Sequence, residues 1–272
     1  MRATRVQIGI AVVASLMFPR LVPAEGVTGA PDANGIVQQS VVANHRDWNA
    51  APEYSYSEAV KNGKGMKTWQ VTMLCGSPYR KLIRENGEPL SAAEQKNEEE
   101  KFRRAVVERQ SESAQETARR VAEYEKDRRR DHRLMEELAR AFNFQLTGKA
   151  QVAGRSVYVL RATPRKSYQP TDRETRVLKG MQGTLWIDQQ SFQWVKVQAD
   201  VISPVTIEGF LATVEPGTRF ELEKMPVADG IWLPKHFSVR SHAKVLLVFR
   251  HHTNEDDTWF DYKKTPPEYA KK

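Results

Sequence analysis

The stretch Gly183–Val201, GTLWIDQQSFQWVKVQADV, decides the fold. It reads as two short strands around a polar turn. Successive side chains of a strand point to opposite faces, so Leu185 and Ile187 share one face of the first strand. Val195, Val197, Ala199 and Val201 share one face of the second. The two aliphatic sets meet on one side when Leu185 lies opposite Val195. That register predicts a three-residue loop at Gln189, Gln190 and Ser191, a common hairpin connection. It also places Trp186 opposite Trp194, and Thr184 opposite Lys196, on the other face. An aromatic pair across strands stabilises a partly exposed face by ~0.2–1 kcal/mol. The sheet therefore has a greasy face to cover and a wet face braced by tryptophans.

The same pattern continues on both sides of this hairpin. FQLTGKAQVAG, SVYVLRATP, TIEGFLATV, RFELEKM, IWLPKHFSVRS, KVLLVFRHHT and TWFDYKK are strand candidates separated by turn signals such as Ala153-Gly154, Pro216-Gly217 and Asp229-Gly230. In RFELEKM, Phe220 and Leu222 fall on the inward parity. Short strands at this spacing predict an antiparallel meander rather than βαβ units. Further upstream, YSYSEAV and TWQVTMLCG are strands split by NGKG, and Asn86-Gly87 suits the positive φ angles of a tight hairpin. Before them, from Gly35, IVQQSVVANHRDW carries Ile36, Val37, Val41, Val42 and Trp48 at roughly helical spacing.

Between Ser91 and about Arg140 the composition changes to Glu, Lys, Arg, Gln and Ala, without proline or glycine. These are strong helix formers, and Ser91 with Glu94 makes a capping-box pattern. Phe102, Val106, Val121, Met135, Leu138 and Phe142 form only a sparse apolar stripe, and Arg128–Arg130 suggests a break between helices. The segment is a solvated helical excursion laced with ion pairs, or a lid or partner-binding arm.

The chain has 272 residues, a formal net charge of +8 and a single cysteine. It is long enough for a sizeable core, and one cysteine forms no internal disulfide. Cys75, inside TWQVTMLCG, reads as a small buried hydrophobe in a strand. MRATR followed by VQIGIAVVASLMF and LVPA has the form of a secretory signal peptide, residues 1–24, cleaved after Ala24. An uncleaved anchor is the other reading. Loss of Arg2, Arg5 and Arg20 takes the charge from +8 to +5, a mild basic bias without the arginine-rich arm of a nucleic-acid reader. GVTGAPDAN makes residues 25–34 a flexible tether. Residues 35–272 then form one domain.

Catalytic signatures are missing: GxSxG, HExxH, a phosphate-binding glycine loop, a dinucleotide fingerprint and paired CxxC. We therefore expect no enzyme, no catalytic residue and no cofactor. His251 and His252, followed by Glu255, Asp256 and Asp257, are the best metal-like cluster, yet adjacent histidines on a strand point to opposite faces and make poor joint ligands. The expectation is no metal site. His236 and His242 have no assigned chemistry.

The layout resembles the LolA/LolB-type periplasmic lipoprotein carriers and is similar to the N-terminal domain of the sensor RseB. The resemblance is carried by SVYVLRATP (Ser156–Pro164), by GTLWIDQQSFQWVKVQADV and by GIWLPKHFSV (Gly230–Val239). In the family a strand of the form y-x-l-x-a-x-P leads to a strand ending in w-i-D, and a g-x-W-x-P strand follows. The match covers most of Gly35–Lys264 as a layout and only these segments as motifs. It implies a mainly β (α+β) fold, a large antiparallel sheet curled into an unclosed β-barrel with an N-terminal helix and a charged helical insertion at about 91–140. This insertion is more charged than the family's lid helices. Periodicity alone does not separate a solid core from an open groove, and on the residues alone the solid core is the favoured reading. The resemblance implies a hydrophobic interior that receives lipoprotein or lipid acyl chains for outer-membrane lipoprotein sorting; the inward parity then gives Leu185, Ile187, Val195, Val197, Phe220 and Leu222 as its expected lining. A membrane donor or acceptor protein is the further partner, and nucleic acid is not expected. The alternatives are an RseB-like envelope sensor and a structural envelope protein with a filled core.

Overall fold

The computed structural model describes residues 32–172, 174–207, 212–228, 230–245 and 249–270. The expected signal peptide and residues 25–31 of the tether lie outside them. Pro31–Lys272 form one compact unit.

Helix α1 (Ala33–Ala50) begins before Gly35 because Asp32 caps it, its carboxylate accepting the Gly35 amide at 2.6 Å. Strands β1 (Tyr54–Asn62), β2 (Gly65–Leu74), β3 (Ser77–Glu85) and β4 (Glu88–Pro89) follow as a meander. Two of its turns have both central residues at positive φ: Cys75 and Gly76 at 48° and 84°, Asn86 and Gly87 at 52° and 88°. Cys75 is buried as expected, but it sits in a hairpin turn instead of a strand.

Helices α2 (Ala92–Ser111) and α3 (Ala114–Ala141) come next. The break between them lies at Glu112–Ser113 and not at Arg128–Arg130. Each helix opens with a complete capping box, Ser91 with Glu94 and Ser113 with Glu116. The arginine run continues α3 because consecutive residues point in different directions around a helix. Arg128 and Arg130 pair with Glu125 and Asp127, one turn earlier.

The remaining strands are β5 (Phe142–Val152), β6 (Arg155–Pro164), β7 (Met181–Asp188), β8 (Trp194–Val201), β9 (Val205–Ile207), β10 (Ala212–Val214), β11 (Arg219–Ala228), β12 (Ile231–Val245) and β13 (Phe249–Lys264). The last two are longer than expected. The candidate KVLLVFRHHT contributes its first two residues to β12 and its end to β13, which also contains TWFDYKK. All pairings are antiparallel, in the order β4-β3-β2-β1-β13-β12-β11-β8-β7-β6-β5, with the β9–β10 hairpin attached through β10 to β12. The outermost strands of this path are β4 and β5, and the sheet is not closed. The helical insertion joins these same two strands along the chain. Helix α3 touches β3 near one edge and β5 at the other. The insertion therefore runs from one open edge of the sheet to the other.

The decisive hairpin differs from its expected register. Leu185 pairs with Val197 and Trp186 with Lys196; the ladder then slips, and Ile187 pairs with Trp194. The cause is the turn. The Asp188 carboxylate accepts from the amides of Gln190 at 3.1 Å and Ser191 at 2.8 Å, and from the Ser191 hydroxyl at 2.8 Å. Phe192 adopts φ 57°. The loop therefore spans Gln189–Gln193, and the extra residue becomes a bulge. Trp194 turns into the core beside Ile187, while Val195 packs on the other face with Val157 and Trp232. Of the two hairpin tryptophans expected there, Trp186 is the one that remains on that outer face, opposite Lys196.

The main core lies between the inner face of the sheet and the helices. Ile36 and Val37 of α1 pack with Phe142, Leu160, Leu185, Ile187 and Trp194. Glu137 fixes the end of α3, accepting from the Tyr168 hydroxyl at 2.8 Å and from Arg140 at 2.6 Å.

One strand group works against folding at neutral pH. Asp257 lies on β13 between Val60 of β1 and Phe237 of β12, and its Oδ1 is buried without a hydrogen-bond partner. Burial, with Glu255, Glu58 and Asp256 nearby, pushes its carboxyl up from 3.8 to about 6. The folded state thus holds this proton more tightly than the unfolded chain, and its contribution to stability falls as pH rises from 4 to 6. Asp257→Asn should stabilise the protein at pH 7.5 by about 1 kcal/mol, after discounting for solvent screening of a half-exposed group. Its effect should vanish near pH 3.5. Urea titrations at the two pH values check this; equal effects at both would contradict it.

Candidate functional site: an aromatic cleft under the bridging helices

A cleft of about 370 Å³ opens where α1 and α3 cross the sheet. Strands β1, β2, β11, β12 and β13 supply Tyr56, Met73, Leu222, Trp232, Leu233, Trp259 and Tyr262. Helix α1 contributes Trp48, and α3 contributes Tyr124, Arg128, His132 and Met135. The wall is mostly apolar and aromatic, with a few polar groups at defined points, as in small-molecule pockets generally. Burial raises the ionisation of both Tyr56 and Tyr262 far above the usual phenol range, so both stay neutral. The Tyr262 hydroxyl donates to the Pro234 carbonyl at 2.7 Å, which leaves its ring face to the cleft.

The polar points form two groups. In the first, Lys224 reaches inward from β11 to α1. Its ammonium donates to Asp47 at 2.7 Å and to Asn44 at 2.9 Å. Asp47 also accepts from the Trp232 amide at 3.1 Å and from the Gln193 side chain at 3.0 Å. Burial pushes Lys224 below the usual lysine range, and Asp47 opposes that shift. The network ties α1 to β11, β12 and the Asp188 turn at the cleft floor.

The second group fixes the lid. Arg128 of α3 lies over the rings of Trp48 at 4.5 Å and Tyr124 at 5.6 Å, and donates to the Trp48 carbonyl. His132 stacks on Trp48 at 4.5 Å. At the junction of the two helices, Arg120 donates to the Cys75 carbonyl at 3.2 Å, and Arg109 donates to the carbonyls of Leu74 and Ser77 at 3.1 and 3.0 Å. The arginines of the insertion thus dock it on backbone oxygens of the β2–β3 turn.

Of the six apolar residues expected to line a cavity, Leu222 lies on the cleft wall. Leu185, Ile187, Val197 and Phe220 belong to the packed cluster that also includes Met135 and Leu222, so they form the layer behind that wall. Val195 lies with the outer cluster. The aromatic lining was not legible in advance, because it comes from distant strands that meet only when β13 returns beside β1. Asn44, Asp47, Gln193 and Lys224 were also missed. A polar residue on the apolar face of α1 was the available signal. The backbone of His251 and His252 lies in β13, opposite Ala243 and His242.

These features define a class: an unclosed antiparallel sheet, curled around an N-terminal helix and bridged by a helical insertion over an aromatic cleft. No family model and no curated protein matches the chain. Among solved structures it is similar to a LolA superfamily protein from Nitrosomonas europaea, at 11% identity over 86% of this chain and 94% of that one, TM-score 0.33. It is also similar to a putative outer membrane lipoprotein-sorting protein domain from Vibrio parahaemolyticus, at 10% identity over 85% and 94%, TM-score 0.32. A third is the MucA/MucB complex of Pseudomonas aeruginosa, at 9% identity over 84% and 99%, TM-score 0.21. Among the described residues, no helix is long and apolar enough to cross a membrane.

Proposed function

We propose that this chain is an exported, periplasmic carrier that holds the acyl chain of a lipoprotein or lipid in the cleft beneath α1 and α3. The observation that carries this reading is the cleft itself, an aromatic and aliphatic trough opened by an unclosed sheet and roofed by a helix. Burying an acyl chain is favourable by ~0.8 kcal/mol per CH₂, so binding needs no catalytic group. Release follows from a partner that offers the chain a better site. Leu222 touches the cargo, and Leu185, Ile187, Val197 and Phe220 supply the rigid greasy layer behind it. The sorting of lipoproteins toward an outer membrane is the task this chemistry fits.

The test titrates the purified, detergent-free protein with an environment-sensitive hydrophobic probe and competes it with matched acylated and unacylated peptides. Displacement by the acylated peptide alone is expected. Failure of both to displace, or equal displacement by both, contradicts the reading.

A sensor that docks a partner protein is the second reading, favoured by one surface. Helix α2 buries no residue and exposes Val107 at 68%. Deleting the whole insertion does not separate the readings, because α3 is a wall of the cleft. Val107→Asp does: a carrier keeps acyl binding and transfer, whereas a sensor keeps acyl binding and loses its protein partner in pull-down.

A further inference from the structure

Two histidines and a carboxylate meet where α1 passes α3. His45 projects from α1, and His132 and Glu136 project from successive turns of α3. His45 Nδ1 lies 3.2 Å from His132 Nε2, and His132 Nε2 lies 3.4 Å from Glu136 Oε1. The three donor atoms all fall within 4.8 Å of one another. Zinc binds imidazole nitrogen at about 2.0–2.1 Å and carboxylate oxygen at about 2.0–2.2 Å in tetrahedral geometry, which puts neighbouring ligand atoms about 3.3 Å apart. Both of these separations match that edge, and the third lies within 4.8 Å. A hydrogen bond between the imidazoles and an i,i+4 histidine–carboxylate pair account for the two distances one at a time, whereas a single cation accounts for both at the one His132 nitrogen.

The surroundings suit an ion as well. Trp48 stacks on His132 at 4.5 Å with ring planes 14° apart, which fixes the imidazole orientation. Burial lowers the proton affinity of His132 below the ordinary histidine value, with Glu136 opposing and His45, Arg128 and Lys224 adding to the shift. His45 is exposed on its side of the cluster, which leaves a fourth position for water. We propose that His45, His132 and Glu136 form a binding site for a divalent first-row cation of the zinc type, joining α1 to α3 beside the cleft. Two imidazoles and one carboxylate are a donor set for Zn²⁺ and its neighbours, not for Ca²⁺ or Mg²⁺. The site stands independently of the cargo, since none of its argument involves an acyl chain.

The experiment uses full-length mature protein free of any histidine tag. Zn²⁺ is titrated in competition with a chromogenic chelator, and Co²⁺ is titrated while visible absorption is recorded. One equivalent of each should bind, with Co²⁺ giving the intense d–d absorption of four-coordination. His45→Ala and Glu136→Gln, both exposed and compatible with folding by circular dichroism, should each weaken Zn²⁺ at least tenfold. Their combination should abolish the Co²⁺ spectrum. Absence of one-to-one binding to the unaltered protein would overturn the proposal. So would unchanged affinity in the folded double variant, which would place any bound ion elsewhere.

Discussion

Asp47→Ala is expected to destabilise the protein by about 3–5 kcal/mol, the cost of removing one partner from a buried ion pair. The substitution strands the Lys224 ammonium, which has Asn44 as its other neutral partner. It also removes the acceptor for the Trp232 amide and the Gln193 side chain. A typical domain has only about 5–15 kcal/mol in total, so urea unfolding should show a large loss. Lys224→Met should cost less, because Asp47 retains two donors. Replacing both residues together, by Leu and Met, should recover only the part of the loss that comes from the unpaired ammonium, because the Trp232 amide and the Gln193 side chain still lack their acceptor. A cost below about 0.5 kcal/mol for Asp47→Ala, the range of ordinary surface changes, would show that the network does not hold α1 to the sheet.

The second large effect falls on binding. Leu222→Glu combined with Met135→Glu should lower acyl-peptide affinity by at least a hundredfold, while circular dichroism stays unchanged. Both side chains are half-buried and face the cleft from opposite sides, Leu222 on β11 and Met135 on α3. An acyl chain bound between them would force two carboxylates out of water, at several kcal/mol each, and 1.4 kcal/mol is already a factor of ten in affinity. As a control, Trp186→Glu on the outer face should leave affinity intact. Equal losses from both changes would mean that the cleft is not the site.

The meander, the capped helical insertion and the inward parity of Leu185, Ile187, Phe220 and Leu222 were legible in the sequence, because each depends on neighbours within one element. The register of the β7–β8 hairpin was not. Alternation predicts which residues share a face only until a bulge intervenes, and this bulge comes from hydrogen bonds to the Asp188 carboxylate. The result moved Trp194 into the core and Val195 out of it. The arginines of the insertion looked like a solvated face, yet Arg109, Arg120 and Arg128 end on backbone carbonyls that only the fold brings near. The cluster of His45, His132 and Glu136 joins residues far apart in the chain. Its one local trace is the four-residue spacing of His132 and Glu136 on a charged helix, a spacing shared by many ion pairs.

The central claim is that an acyl chain lies in the cleft, and bromine quenching of tryptophan tests it most directly, because bromine quenches only on close contact. A peptide carrying a brominated acyl chain is added to the protein and to tryptophan variants. Trp48 and Trp259 line the cleft, whereas Trp69 lies beneath Arg80 and Trp186 packs with the outer cluster. The account predicts strong quenching that is largely lost in Trp48→Phe/Trp259→Phe and retained in Trp69→Phe/Trp186→Phe. Quenching carried by Trp69 and Trp186, or no quenching in the folded protein, would contradict it.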